Sequence, residues 1–205
     1  MVIGDVEVGS FLAWLQHLRF PSGDHADDAA DGHAAIVWRV TLDEWNERYR
    51  TRETLDDEPA PLLVNAARDL PPGRALDLAC GAGRNAVWLA QRGWDVVAID
   101  GASEAIRVLR EREPRVDARV LDLETSAPLP FDDETFDLVA ILFYLHRPLF
   151  AEARRLLRHG GIIVAAARMS GTFAIGPGEL RAAFGDLTLV HEREGEIAEI
   201  VVRKN

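Results

Sequence analysis

From Thr41 onward, hydrophobic and polar positions alternate between two periods. Short apolar runs of strand length are separated by segments with helical spacing, and turn residues stand at the joints. Thr41 followed three residues later by Glu44 is a capping box, predicting a helix through Trp45, Arg48 and Tyr49. A second helix, about 61–70, is stopped by Pro71-Pro72-Gly73. Strand 74–79, helix 84–92, strand 95–99, a helix over 103–113 capped by Ser103 and stopped by Pro114, and strand 118–121 follow. After a loop rich in Pro and Asp come strand 136–143, a helix over 148–158 ended by Gly160-Gly161, and a fifth strand, 162–167. Strands that recur with a helix between them need crossover connections, so the pattern predicts a doubly wound, mostly parallel α/β sheet. The tail differs. A short helix near 179–184 precedes two runs, 187–191 and 197–203, joined by the turn 193–196, which predicts an antiparallel hairpin at the sheet edge. Seven strands result.

The first forty residues do not share this regularity. One apolar stretch from Phe11 to Phe20 with helical spacing is followed by an acidic, small-residue segment, 24–32, that cannot build a core. Asp24, His25, Asp27, Asp28, Asp31 and His33 fit no regular metal cage, and a solvated linker is expected, with no metal site. The division expected is an extension over 1–40, partly flexible, and a catalytic domain over 41–205. Residues 1–40 are expected to be dispensable, Val40 marking a possible alternative start.

Composition narrows the class. In 205 residues, 48% hydrophobic and 28% charged content is ordinary for a globular domain, and the length suits one domain. A net charge of -11 disfavours a nucleic-acid partner, because neutralising phosphates needs a basic surface. Cys80 is the only cysteine, which excludes an internal disulfide and points to a reducing compartment. With no apolar run of about 18 residues and no cationic leader, a cytoplasmic protein without membrane contact is expected, as monomer or homodimer. Lys204 is the only lysine, a codon bias expected of a GC-rich bacterial genome.

The chemistry concentrates between Ala75 and Asp100. Gly81 and Gly83 fall in the turn from the first strand to its helix, where a ligand can approach the backbone. Asp100 closes the second strand, where a carboxylate can accept from the vicinal hydroxyls of a ribose. This describes a nucleoside site, and the glycine string also satisfies the relaxed dinucleotide fingerprint, which keeps an NAD(P)-dependent oxidoreductase open. Against it, Asp77 sits inside the first strand, where a carboxylate would repel a pyrophosphate but suit a cofactor carrying a cationic amino acid. Asp122 adds an acceptor at the third strand end.

These features, from Asp77 to Gly83 with Asp100, Asp122-Leu123 and the terminal hairpin, resemble the class I S-adenosylmethionine-dependent methyltransferases. Trp45-Asn-Glu-Arg-Tyr49, Ala79-Cys-Gly-Ala-Gly-Arg-Asn85 and Tyr144-Leu-His-Arg-Pro148 are similar to small bacterial members related to tellurite-resistance and thiopurine methyltransferases. The resemblance implies S-adenosylmethionine as cofactor. The loop from Asp77 to Gly83, Gly81 included, would wrap its methionine part, with Ala79 and Cys80 presenting backbone to the amino group; Asp100 would hold the ribose, with Gly101 leaving room; Asp122 and the Leu123 amide would read the adenine. Leu142 or Phe143 would pass under the sulfonium, Trp45 and Tyr49 would cover the site, and Arg48 or Arg50 would meet the carboxylate.

On the acceptor side stand Tyr144, His146 and Arg147, which follow the fourth strand. His146 is a candidate base, Arg147 a candidate anion holder and Tyr144 a pocket wall; the competing roles are a helix cap for His146 and a surface ion pair for Arg147. The chain lacks an Asn-Pro-Pro-Tyr or Asp-Pro-Pro-Tyr clamp after the fourth strand, and Cys80 is not preceded by proline, so a small-molecule acceptor is expected. A non-catalytic S-adenosylmethionine-binding regulator is the non-enzymatic alternative.

Overall fold

The structure is a computed structural model, and it describes residues 41–51, 57–124, 128–171 and 173–205. The extension expected over 1–40 lies outside the described residues.

The capping box at Thr41 forms as the sequence predicts. Thr41 Oγ1 accepts from the Glu44 amide at 3.2 Å, and Glu44 Oε2 accepts from the Thr41 amide at 2.7 Å, starting α1 (Leu42–Thr51). Helix α2 (Pro61–Ala67) begins with proline at its first position, where no amide is needed. The Ala60 amide ahead of it donates to Asn85 Oδ1 at 2.9 Å, so a buried side chain from the next helix fixes where α2 starts.

Beyond it the chain runs β1 (Arg74–Leu78), α3 (Arg84–Gln91), β2 (Asp95–Asp100), α4 (Ser103–Arg112), β3 (Asp117–Val120) and β4 (Phe136–Leu142). It ends with α5 (Pro148–Leu156), β5 (Leu157–Arg168), α6 (Glu179–Ala183), β6 (Thr188–Arg193) and β7 (Ile197–Arg203). The seven strands form one sheet in the order β3-β2-β1-β4-β5-β7-β6. Pairings from β3 through β5 are parallel, and β7 pairs antiparallel with both β5 and β6. The expected doubly wound sheet and terminal hairpin are both present.

Apolar residues fill both faces of this sheet, as parallel strands require. Leu63, Ala86, Leu89, Trp94, Ile106 and Leu109 pack one face; Leu76, Ile99, Phe136, Phe150, Leu156 and Phe184 belong to the core of the other. Trp88 and Trp94 are 8% and 6% exposed, which makes them core residues. Among the described residues, no helix is long and apolar enough to cross a membrane.

Helix α2 ends at Ala67, short of the expected 70, β6 runs two residues past the expected 191, and two further departures have a visible cause. Helix α5 stops at Leu156, and β5 begins at Leu157 instead of after Gly160-Gly161. The glycine pair lies inside the strand because the C-terminal tail pairs with it: the Gly160 amide donates to the Lys204 carbonyl at 2.7 Å and the Lys204 amide to the Gly161 carbonyl at 3.0 Å. A Cβ on Gly161 would stand 2.8 Å from the Asp137 carbonyl oxygen, so the glycine serves strand approach and not helix termination. The other departure concerns the cap of α4. Ser103 is the first helical residue, and the capping acceptor is Asn46 Oδ1 of α1, which takes the Glu104 amide at 2.9 Å and lies 3.3 Å from Ser103 Oγ.

Candidate functional site

Strand β1 is flanked by β2 on one side and β4 on the other, so chain connections leave it in opposite directions. A crevice at the carboxyl ends of strands opens at such a reversal. The loop after β1 turns sharply there. Ala79 and Gly81 both have left-handed φ, 56° and 55°, and the Cys80 amide is tied to the Ile99 carbonyl of β2 at 3.0 Å. Gly83, at φ 84°, starts α3; a Cβ there would fall 2.2 Å from Leu109 Cδ1, so this glycine permits helix packing.

Asp100 joins the two strand ends. One carboxylate oxygen accepts from the Gly81 amide and the other from the Ala102 amide, each at 2.8 Å. Burial raises its carboxyl pKa, while the backbone amides work in the opposite direction. A Cβ on Gly81 would lie 2.6 Å from the Tyr49 hydroxyl, and one on Gly101 would lie 2.7 Å from Leu42 Cδ2. The absence of these two side chains gives α1 its seat over the loop. Trp45 and Tyr49 stack at 6.1 Å between centroids, and burial with the nearby Asp100 charge raises the Tyr49 phenol well above its ordinary range.

Asp77 is 1% exposed, and its Oδ2 has no hydrogen-bond partner. Burial pushes its carboxyl up to about 7, with the Arg84 charge opposing. An orphaned buried acceptor beside a bare glycine loop fits the cationic amino end of S-adenosylmethionine. It does not fit a pyrophosphate, which would bring a second anion to the same place. The Cys80 thiol is buried, and its pKa is driven up first by burial and then by Asp77 and Asp100, which disfavours the thiolate needed for nucleophilic attack.

The remaining sequence candidates are distributed around this crevice. Asp122 is exposed two residues past β3, where its Oδ1 accepts from the Glu124 amide at 2.9 Å; the Leu123 side chain is buried beside it. Leu142 ends β4 and is buried, and Phe143 continues from it with a left-handed φ of 63°. Tyr144 and His146 are half-buried in the segment leading to α5. The cap position of α5 is Arg147, and no side chain caps the helix there. Arg147 itself is ion-paired with Glu179 of α6, linking the segments that follow β4 and β5. Of the arginines expected at the cofactor carboxylate, Arg50 pairs with Glu47, and Arg48 lies 4.9 Å from the Trp45 ring centre.

Sequence reasoning passed over three residues. Asn46 docks α1 onto α4, Asn85 anchors the start of α2, and Arg84 stands at the opening of α3 beside the crevice. The pair Arg84-Asn85 directly after Gly83 carried the available signal, because side chains at a helix start face the preceding loop. Among the described residues no group of three His, Cys, Asp or Glu side chains is placed to hold a metal ion.

Residues 76–165 match a family model described as a methyltransferase domain. A demethylmenaquinone methyltransferase of Renibacterium salmoninarum is 35% identical over 117 residues, covering 55% of this chain and 48% of that protein. A trans-aconitate 2-methyltransferase of Azoarcus is 30% identical over 167 residues, covering 65% of each. The chain thus spans about half to two thirds of the length of these curated relatives. Among solved structures, TehB from Haemophilus influenzae superposes with a TM-score of 0.67 at 19% identity, covering 78% of this chain and 67% of that one. A TehB-like SAM-dependent methyltransferase from Corynebacterium glutamicum gives 0.63 at 22%, covering 80% and 98%. Both share the fold.

Proposed function

We propose that this chain, whose residues 76–165 match a methyltransferase-domain model, is a class I S-adenosylmethionine-dependent methyltransferase and methylates a small-molecule acceptor with that cofactor. The observation that carries the reading is the pairing of Asp77, an orphaned buried acceptor, with the Gly81–Asp100 bridge at the reversal point of the sheet.

S-adenosylmethionine supplies an electrophilic methyl group on a sulfonium, whose departure leaves a neutral thioether. The protein therefore has to align two reactants and keep water out, and an obligatory base is not required. Asp77 would accept from the cationic amino end, and the backbone from Ala79 to Gly83 would follow the amino-acid arm. Asp100 uses two of its roughly four lone-pair directions on Gly81 and Ala102, leaving acceptor capacity for vicinal ribose hydroxyls. Asp122 and the Leu123 amide would meet the adenine, Leu142 would border the reacting centre, and Trp45 and Tyr49 would exclude water from it. On the acceptor side Tyr144 walls the pocket and His146 receives a proton where the acceptor carries one. Arg147, neutralised by Glu179, holds that segment in place and contributes its remaining donors to an anionic acceptor.

Small acceptors are supported by the net charge of -11, which works against a polyanion, although a ribosomal RNA small subunit methyltransferase C of Alcanivorax borkumensis is 30% identical over 123 residues. Two measurements test the reading. Calorimetry should show binding of S-adenosylhomocysteine and none of NAD(P); the reverse result sinks the cofactor. Labelled methyl transfer should then appear with members of a small-molecule panel; transfer confined to ribosomal RNA overturns the acceptor class.

A further inference from the structure

A cavity of about 490 Å³ is lined by Arg74, Arg119, Leu129, Pro130, Phe131 and Asp132, a volume that suits a small organic molecule. It stands apart from the crevice. Arg74 opens β1 at its amino end, whereas the crevice lies at the carboxyl ends of the strands. Side chains alternate along a strand, so Arg74 shares a face with Leu76, and Arg119, in register with Ile99, points the same way. The segment 128–135 beside them is fixed before any ligand arrives: two prolines restrict its backbone, the Phe131 amide donates to the Leu129 carbonyl at 2.8 Å, and Arg155 of α5 donates to the Phe131 and Leu129 carbonyls at 2.8 and 3.1 Å. Two guanidiniums rest on one aromatic pair. Arg74 lies 5.1 Å from the Phe136 ring centre, Arg119 lies 5.1 Å from that of Phe131, and the two rings meet edge to face at 5.2 Å. The Nε of Arg74 is buried without a hydrogen-bond partner, and the Asp95 carboxylate paired with it, itself exposed, stands 3.4 Å away. Arg119 gives Nε and Nη2 to Asp117, and its Nη1 is unused.

Donors without acceptors, set over aromatic rings, call for a flat molecule that brings the acceptors with it. A carboxylate matches the guanidinium fork, while Asp95, Asp117 and Asp132 around the cavity weigh against a dianion. We propose that this cavity binds an aromatic monocarboxylate, its carboxylate meeting Arg74 and the Nη1 side of Arg119 and its ring lying against Phe131 and Pro130. The site shares no residue with the crevice and stands whether or not the adenosyl cofactor is the right one.

The test is a chemical-shift titration of the full chain with benzoate, with benzamide and inorganic phosphate alongside. Benzoate should move the resonances of Arg74, Phe131 and Thr135, and benzamide, which lacks the charge, should bind at least about tenfold more weakly. Arg74→Met keeps an apolar stem over Phe136 and removes the donors, so it should weaken benzoate by about 10- to 100-fold, the range for a lost charge-assisted contact. Arg119→Gln should weaken it by a smaller factor. Chemical denaturation of both variants separates lost binding from lost folding, and the ratio of benzoate to benzamide affinity in the wild-type chain tests the charge without any substitution. No shift at these residues, benzamide or phosphate binding as tightly as benzoate, or a folded Arg74→Met variant that keeps its affinity overturns the proposal. Displacement of benzoate by S-adenosylhomocysteine overturns it as well, because the ligand would then sit in the crevice.

Discussion

The Gly81 amide donates to Asp100 Oδ2 at 2.8 Å, so the loop after β1 is held by the last residue of β2 before any ligand arrives. A single carboxylate bridges two strand ends, since its other oxygen takes the Ala102 amide ahead of α4. Residues separated by nineteen positions are thereby locked into one surface. Pre-organisation of this kind lowers the ordering cost of binding.

Replacement of Asp100 separates its two duties. Asp100→Ala strands two amide donors and should cost about 2–4 kcal/mol of stability, measured by chemical denaturation. Asp100→Asn keeps one acceptor, so it should retain most of the stability yet bind S-adenosylhomocysteine at least about tenfold more weakly. An Asn variant that binds like wild type would remove Asp100 from the ribose.

Asp77 makes stability depend on pH in a stated direction. Its folded carboxyl, at about 7, lies above the ordinary 3.8, so the folded state holds a proton that the unfolded chain releases. Without cofactor, stability should fall as pH rises from about 4 to about 7 and then level off. Asp77→Asn removes this penalty. It should stabilise the cofactor-free protein at pH 8 by an amount on the order of 2–4 kcal/mol and have little effect at pH 5. Equal effects at the two pH values would contradict the assignment.

Ala79 occupies a left-handed conformation, φ 56°, in the turn that leaves β1. A Cβ in that region costs roughly 1–2 kcal/mol, part of which is offset by the greater unfolded-state entropy of glycine. Ala79→Gly should therefore raise stability by about 1 kcal/mol, visible as a shifted denaturation midpoint with an unchanged slope. A midpoint that moves down would show that the methyl group packs more than it strains.

Asn46 caps α4 from α1, and the same contact seats Trp45 and Tyr49 over the loop. Asn46→Ala should lose about 1 kcal/mol. It should also speed dissociation of bound S-adenosylhomocysteine in stopped-flow fluorescence, while Asn46→Asp restores both. Faster dissociation without a stability loss would argue against capping.

His146 and Tyr144 answer to turnover. His146→Gln and Tyr144→Phe should leave S-adenosylhomocysteine affinity intact and lower kcat with an accepted substrate, by about 10²-fold or more where His146 carries a proton. Unchanged turnover on every accepted substrate would return both residues to a structural role.

The sequence by itself determined what depends on near neighbours. Alternating periods set the order of strands and helices, Thr41 and Glu44 fixed the start of α1, and the Asp77–Gly83 string with Asp100 marked the crevice at the carboxyl ends of β1 and β2. Each signal lies within a turn or two, or within one strand–helix unit, so local geometry suffices to read it. Tertiary structure decided the rest. Gly160-Gly161 reads as a helix stop but is drawn into β5 by Lys204, some forty positions away; the cap of α4 comes from Asn46 and not from Ser103; Arg147 is claimed by Glu179, and Arg84 by Phe143. In each case a polar group or a backbone edge had several chemically equivalent partners along the chain. Only the packing of the sheet determined which of them was near enough to be chosen.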